Sequence, residues 1–156
     1  MKFTDKITNI ENFQITLKDL RKTGKKIVFS NGCFDILHKG HVMYLSKAAE
    51  TGDFMVIGLN SDASVKRLKG EKRPVQDQVS RALVMAALEF VNAVILFEED
   101  TPYELIKAIV PDILVKGADY KPQEIVGYDI VTGNGGQVRT IELEEGYSSS
   151  LIISKI

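Results

Sequence analysis

Residues 27–41 have the sequence IVFSNGCFDILHKGH, in which a short apolar run leads through a glycine-containing loop to the start of a helix. The run from Ile27 to Phe29 is typical of a buried strand, and we expect the strand to end at Asn31–Gly32. Residues 39–51 then carry apolar side chains at helical spacing and stop before Gly52. A buried strand followed directly by a helix predicts the first half of a βαβ unit.

The same alternation continues along the rest of the chain. Strands are predicted at residues 27–29, 53–59, 91–97, 112–116 and 137–143. Helices are predicted at residues 12–22, 39–51, 61–68, 79–90, 101–110, 122–132 and 149–156. This order indicates an α/β, Rossmann-like doubly wound fold, with a mainly parallel five-stranded sheet and helices on both faces. We expect one domain over residues 1–156, with residues 1–24 as an N-terminal helical extension.

Length, composition and charge restrict the class of protein. The chain has 156 residues, 44% of them hydrophobic and 26% charged, which is typical of one soluble globular domain. Its formal net charge of −1 disfavours a nucleic-acid binder. Neither a membrane-spanning run nor a secretory signal is apparent, so we expect a cytoplasmic protein without a nucleic-acid or membrane partner. With Cys33 as its single cysteine, the chain cannot form an internal disulfide.

His38 and His41 are the two histidines of the chain, and both lie where the first loop meets its helix. In a doubly wound sheet, ligands bind beyond the carboxyl ends of the strands, where this loop lies. The helix N-terminus adds unpaired amides and a positive partial charge that suit a phosphate. Gly40 lacks the side chain that would block a ligand over the turn. The pair could instead be two surface histidines at a helix cap, but its position favours a phosphate site.

Residues 32–41, GCFDILHKGH, resemble the GxFDxxHxGH signature of the cytidylyltransferase-like nucleotidyltransferases. Residues 60–62, 66–70, 73–75 and 114–122 make the chain most similar to the heptose 1-phosphate adenylyltransferase branch. The resemblance implies transfer of the AMP part of ATP to a sugar 1-phosphate, heptose 1-phosphate, with release of pyrophosphate. The product would be ADP-heptose, a precursor in lipopolysaccharide biosynthesis, and Mg²⁺ would accompany the nucleotide.

The resemblance also implies which residues act on the substrates. His38, His41, Lys66 and Lys69 are the expected catalytic residues, with the two lysines on the triphosphate. The basic stretch 66–73 that contains these lysines could close over a triphosphate as a flap, or be an ordinary solvated loop. No residue is expected to ligate a metal.

A nucleotide-binding set is implied at the ends of the strands. The serine run 148–150 could alternatively serve only as a helix N-cap, and Asp119 only as a turn cap. Arg81 could alternatively have a purely structural role, pairing with an acidic neighbour such as Asp77. Cys33 is most simply a small residue of the loop. The expected nucleotide-binding residues are Asn31, Gly32, Cys33, Phe34, Asp35, Gly40, Arg81, Lys116, Gly117, Asp119, Tyr120, Ser148, Ser149 and Ser150.

Other functions remain open at this point. A CTP-dependent cytidylyltransferase for glycerol 3-phosphate or another alcohol phosphate would use the same chemistry, and a non-catalytic nucleotide-binding sensor would use the same loop. The His-x-Gly-His element is also similar to class I aminoacyl-tRNA synthetases, but the small size and near-neutral charge disfavour that function. The chain could form a homodimer, since the apolar segment 91–97 and its preceding helix could be core or a dimer face.

Overall fold

The computed structural model describes residues 2–156 and centres on a six-stranded, all-parallel sheet. The strands are β1 (Ile7–Thr8), β2 (Ile27–Gly32), β3 (Phe54–Asn60), β4 (Ala93–Phe97), β5 (Ile113–Gly117) and β6 (Gln137–Ile141). Their order across the sheet is β1-β4-β3-β2-β5-β6. From β2 the chain therefore builds outward in one direction through β3 and β4, then crosses back to β5 on the other side. A crevice is expected beyond the carboxyl ends of β2 and β5, where the order reverses.

Seven α-helices connect the strands. They are α1 (Ile10–Lys22), α2 (Lys39–Ala49), α3 (Asp62–Lys69), α4 (Gln78–Ala86), α5 (Tyr103–Ile109), α6 (Tyr128–Gly133) and α7 (Ser149–Ser154), with 3₁₀ turns at Phe3–Lys6 and Pro122–Glu124. The single helix predicted over 122–132 is thus divided, because Gly127 adopts a left-handed φ of 92° between the two pieces. None of the helices in residues 2–156 has the length and apolar character that a membrane crossing requires.

Alternating side chains of the strands build one hydrophobic core on each face of the sheet. Val28 packs in the core that contains Leu45 of α2 and Met85 of α4. Its neighbour Phe29 points to the other face, into the core that contains Phe13 of α1. The predicted doubly wound architecture, with helices on both faces, is therefore confirmed.

The predicted strand count of five is wrong by one, because β1 was missed. Ile7 pairs with Val94 and Thr8 pairs with Ile95, so β1 is an edge strand beside β4. Two residues are too few to display the alternation by which a strand is recognised from sequence. The described part of the N-terminal extension, residues 2–24, therefore contributes a strand as well as the predicted helix.

The apolar segment 91–97 belongs to the core. Strand β4 lies between β1 and β3, and Val94 and Ile95 are buried. The preceding helix α4 does leave Val79, Leu83 and Val84 exposed on its outer face. The homodimer remains a prediction.

Candidate functional site

A cavity of about 520 Å³ opens beyond the carboxyl ends of β2 and β5, at the reversal of strand order. We call it the histidine cavity. It is formed by the end of β2, the loop that follows, the start of α2, and residues from the ends of β3, α3 and β5 and from the C-terminal segment. Its lining residues are Asn31, Gly32, Cys33, Phe34, Asp35, His38, Gly40, His41, Asn60, Leu68, Lys69, Arg73, Asp100, Lys116, Tyr120, Leu143, Glu144, Tyr147, Ser148, Ser149 and Ser150.

The two imidazoles of His38 and His41 are stacked in this cavity. Their ring centroids lie 3.8 Å apart at an interplanar angle of 23°. His38 is the N-cap of α2, and its Nδ1 accepts a hydrogen bond from the backbone N–H of His41 at 3.4 Å. The ring of Phe34 meets that of His41 edge-on, with centroids 5.1 Å apart. The helix cap and the aromatic contact together hold both rings at the helix N-terminus, where an anion is stabilised.

His41 has a polar atom that the protein leaves unsatisfied. Within residues 2–156, its Nδ1 is the one buried side-chain nitrogen or oxygen without a hydrogen-bond partner. Such an atom carries a desolvation cost unless a ligand or water pairs with it. A backbone contact of the same imidazole with Ile36 raises its pKa and partly offsets the effect of burial.

Burial keeps both imidazoles neutral near pH 7. It lowers the pKa of His38, and it lowers the pKa of His41 from 6.5 to about 4, with the nearby His38 as a second cause. A phosphate beside the rings would favour their charged forms and raise both pKa values. The pair can therefore take up positive charge when an anion binds.

Gly40 is required by the histidine packing itself. A Cβ at this position would lie 2.9 Å from Cε1 of His38 and 3.1 Å from the Cβ of Tyr147. The space above the turn is thus filled by the His38 ring and Tyr147, and any larger residue would displace them.

Asp35 fastens the loop after α3 to the loop after β2. Its buried carboxylate accepts hydrogen bonds from Arg73 Nε at 2.6 Å, from the N–H of Val75 at 2.9 Å and from the N–H of Gln76 at 3.0 Å. The Gln76 side chain donates in return to the backbone carbonyl of Asp35 at 2.6 Å. The basic stretch is therefore pinned at Arg73, while its preceding residues 66–72 are exposed.

Three cations line the histidine cavity: Lys69, Arg73 and Lys116. Lys116 is partly buried, and its Nζ donates to the Asn31 carbonyl at 3.1 Å. Burial lowers the pKa of Lys116 and raises the pKa of the Cys33 thiol, although all three cations and Arg81 oppose the rise at Cys33. Cys33 is thus held as a protonated thiol, which is a poor nucleophile.

The C-terminal segment closes one side of the histidine cavity. Ser148 is the N-cap of α7 and accepts a hydrogen bond from the N–H of Leu151 at 3.0 Å. Ser149 Oγ donates to the carbonyl of Ile36 at 2.9 Å, which links this segment to the histidine loop. Capping and cavity lining therefore occur together in the serine run.

Four expected site residues do not line the cavity: Lys66, Arg81, Gly117 and Asp119. Lys66 is exposed one helical turn before Lys69, and Asp119 is exposed beyond the end of β5. Their roles toward a nucleotide stay predictions.

Arg81 is buried and acts within the protein. Its guanidinium donates to the carbonyls of Cys33 at 2.8 Å and Asn60 at 2.7 Å, and to Asp62 Oδ1 at 2.8 Å. The acidic partner is therefore Asp62 and not Asp77. Arg81 joins the loops that follow β2 and β3 and in this way supports the wall of the histidine cavity.

The expected set omitted several residues that line the cavity. Arg73 was part of the recognised basic stretch, but its sequence position gave no sign of contact with Asp35. Tyr147 precedes the serine run, and its ring centroid lies 6.4 Å from that of His38. Asn60, Leu68, Asp100, Leu143 and Glu144 complete the omitted residues.

Comparison with known proteins connects this geometry to a family. Residues 29–155 match the family described as Cytidylyltransferase-like. The chain belongs to the cytidylyltransferase-like family. The match includes the histidine loop, all the strands except β1 and the first two residues of β2, and the whole of α7. The nucleotidyltransferase family expected from residues 32–41 is thereby confirmed.

Curated relatives of this cytidylyltransferase-like chain share more than half of its residues. It is 56% identical over 150 residues to the bifunctional protein HldE of Nitratiruptor, and 55% identical over 154 residues to that of Campylobacter jejuni. These alignments cover 96% and 99% of the chain but 32% of each relative. The chain thus spans about a third of the length of the curated relatives it matches.

Solved structures show the same fold. The lipopolysaccharide core biosynthesis protein of Thermoplasma volcanium is 28% identical, with a TM-score of 0.62 over 80% of this chain and 100% of that one. Pantoate-β-alanine ligase of Francisella tularensis is 15% identical, with a TM-score of 0.61 over 96% of this chain and 78% of that one. The latter likeness concerns the fold alone.

Proposed function

We propose that this chain transfers the AMP part of ATP to heptose 1-phosphate, releasing pyrophosphate and forming ADP-heptose. The observation that carries the proposal is the stacked His38–His41 pair, which lies in a cavity lined by the three cations Lys69, Arg73 and Lys116. The heptose acceptor is supported by the resemblance of residues 60–62, 66–70, 73–75 and 114–122, and by the relationship to a lipopolysaccharide core biosynthesis protein. Since ATP is a substrate, we assign the reaction to the cytoplasm.

The reaction requires no general base from the protein. An oxygen of the sugar phosphate attacks the α-phosphorus of ATP, a new P–O bond forms, and the bond to the bridging oxygen of the β-phosphate breaks. The attacking phosphate is already an anion, so no proton has to be removed. The protein must hold two anions together and stabilise the charge that develops at the α-phosphate.

The described side chains are suited to these tasks. The imidazoles of His38 and His41 can donate hydrogen bonds to phosphate oxygens and gain a proton as negative charge develops. Lys69 and Arg73 enter from the α3 side of the histidine cavity, and Lys116 from the end of β5. Cations on both sides would reduce the repulsion between the triphosphate and the sugar phosphate.

The donor set fits a Mg²⁺ held mainly by the nucleotide. Within residues 2–156 there is no group of three or more His, Cys, Asp or Glu side chains that could bind a metal. Asp35, Asp100 and Glu144 line the cavity, but Asp35 already pairs with Arg73 at 2.6 Å and Asp100 with Arg67 at 2.7 Å. Glu144 is thus the carboxylate available to approach the ion. When bound, Mg²⁺ would neutralise charge on the phosphate oxygens.

Pyrophosphate release tests the proposal directly. A coupled assay compares ATP with CTP, and heptose 1-phosphate with glycerol 3-phosphate. We expect ATP with heptose 1-phosphate to be turned over fastest, and His41→Ala to lower kcat about 10²–10³-fold. Lys47→Ala, at an exposed position of the same helix, is the matched control and should keep wild-type turnover. Faster turnover with CTP would contradict the assigned substrate, and nucleotide binding without turnover of any pair would favour a sensor.

A further inference from the structure

A second cavity, of about 770 Å³, lies at the opposite end of the sheet from the histidine cavity. It is bounded by the C-terminal half of α1, the connection from α5 to β5, and the start of β6. Its floor includes the buried side chains of Leu17, Ile109 and Ile113. The volume is within the range of about 300–1,000 Å³ that is usual for small-molecule sites. We call it the basic cavity.

Positive charge is concentrated in this cavity. Its cationic lining residues are Lys18, Arg21, Lys22, Lys26 and Arg139, and its one carboxylate is Asp112. The whole chain has 20 Lys and Arg against 21 Asp and Glu. The basic cavity thus holds a quarter of the cations and a single carboxylate of a nearly neutral protein.

The carboxylate is already used by the protein. Asp112 Oδ2 accepts hydrogen bonds from Arg21 Nη1 at 2.8 Å and from the N–H of Ile27 at 2.8 Å. The second terminal nitrogen of Arg21 donates to the carbonyls of Ile109, at 3.2 Å, and Val110. Arg21 and Asp112 are therefore a structural pair that forms the cavity wall.

Four cations are left without such a partner. Among the residues that the structure describes, Lys18, Lys22, Lys26 and Arg139 form no ion pair. Arg139 donates to the neutral Gln137 side chain at 3.0 and 2.7 Å. A helix C-terminus favours cations in its last turn, which accounts for Lys22. It does not account for Lys26 and Arg139, which come from the segment before β2 and from β6.

We propose that the basic cavity binds a small anion with two or more phosphate groups, at a site separate from the histidine cavity. Cations from three chain segments converge on one concave surface and repel one another, and a multivalent anion removes that repulsion. The apolar floor provides room for an organic group attached to the phosphates. The basic cavity lies at the amino ends of β2, β5 and β6, so its ligand does not compete for space with a nucleotide at the carboxyl ends.

Two-dimensional ¹H–¹⁵N NMR with inorganic tripolyphosphate tests this inference, because it reports on each cavity separately. At about 0.15 M salt, where diffuse surface attraction is screened, we expect saturable shifts of the Lys26 and Gly135 amides. Lys22→Glu combined with Arg139→Glu should weaken these shifts at least tenfold and leave shifts around His38 unchanged. Lys18→Gln combined with Lys22→Gln removes two charges without reversing them, and should weaken the same shifts to a smaller extent. The spectrum of each variant also reports whether it is folded.

The matched control reverses the same charges outside both cavities. Lys47→Glu combined with Lys107→Glu changes two exposed lysines and should leave the shifts of Lys26 and Gly135 intact. Equal weakening by the control, or no saturable shift at the basic cavity, would overturn the inference. If tripolyphosphate shifts the Lys26 and Gly135 amides of the wild-type protein but no amide around His38, the result counts against the proposed function. It does not affect the inference about the basic cavity.

Discussion

Replacing Asp35 by asparagine tests the link between the two loops that shape the histidine cavity. The Asp35 side chain is fully buried, and it accepts hydrogen bonds from Arg73, Val75 and Gln76. Asparagine has almost the same size but carries no charge and presents only one acceptor oxygen. Oδ1 of asparagine can still accept from the backbone N–H groups of Val75 and Gln76, but Oδ2 is replaced by an amide N–H₂ that faces Arg73 Nε. Asp35→Asn therefore removes the ion pair and leaves the Arg73 side chain without its acceptor.

The expected loss of stability follows from the burial of this pair. Removing one partner of a buried ion pair costs about 3–5 kcal/mol. The Arg73 side chain remains 16% exposed and can regain some hydration, so we expect about 3 kcal/mol, the lower end of that range. For a chain of this length, each kcal/mol lowers Tm by roughly 2–4 °C. Asp35→Asn should therefore lower Tm by about 6–12 °C.

Acid should reduce the difference in free energy of unfolding between the wild-type protein and Asp35→Asn. Burial raises the pKa of Asp35, but hydrogen bonds from Gln76, Val75 and Arg73 outweigh it and hold the pKa below the ordinary value. The stabilisation that Asp35 provides is thus present above about pH 4 and lost as the pH falls through the lowered pKa of the folded protein. Asparagine does not titrate, so the Asp35→Asn variant loses no stabilisation at this position as the pH falls.

Urea unfolding followed by circular dichroism, at neutral and acidic pH, measures this effect. Asp77→Asn is the matched control, because Asp77 caps α4 from an exposed position and asparagine caps equally well. The control should change the free energy of unfolding by less than about 0.5 kcal/mol. If Asp35→Asn were no more destabilising than Asp77→Asn, the inferred clamp would be refuted.

Three further predictions concern the histidine cavity and its support. Because the pKa of His41 is about 4 in the folded protein and 6.5 ordinarily, the free energy of unfolding should fall by up to about 3 kcal/mol between about pH 6.5 and pH 4. His41→Gln should remove most of that fall in urea unfolding, and an unchanged acid dependence would contradict the burial of His41. Gly40→Ala places a methyl group 2.9 Å from the His38 ring, so kcat/KM in the pyrophosphate assay should fall about 10–100-fold; wild-type kinetics would show that the ring can move freely. Arg81→Gln should lower the free energy of unfolding by about 3 kcal/mol in thermal or urea unfolding, since it removes the hydrogen-bond donor of Asp62 and of the backbone carbonyls of Cys33, Asn60 and Gln76; wild-type stability would exclude the structural role.

The central part of the fold could be predicted because its strands are apolar runs long enough to be recognised. The run that begins at Ile27 is buried on both faces of the sheet, so its sequence is continuously hydrophobic. Strand β1, Ile7–Thr8, has no such signal and depends on pairing with Val94 and Ile95. Short edge strands are set by tertiary contact and not by local pattern.

The location of the candidate site could be predicted for a similar reason. His38 and His41 lie next to a recognisable strand end, where the topology places ligands. The contacts that support them could not be predicted, because they join distant parts of the chain. Arg73 meets Asp35 across 38 positions, and Arg81 reaches the carbonyl of Cys33 across 48. No local periodicity encodes such pairings.

The imidazole signals of the untagged protein give the most direct test of nucleotide binding by the histidine pair. The chain contains two histidines, so its ¹⁵N imidazole spectrum reports His38 and His41 alone. On saturation with Mg·ATP, both sets of ring signals should shift, and the pKa of His41 should rise from about 4. If ATP saturates the protein while both sets of ring signals and the pKa of His41 stay unchanged, the nucleotide binds elsewhere and the histidine pair does not receive it.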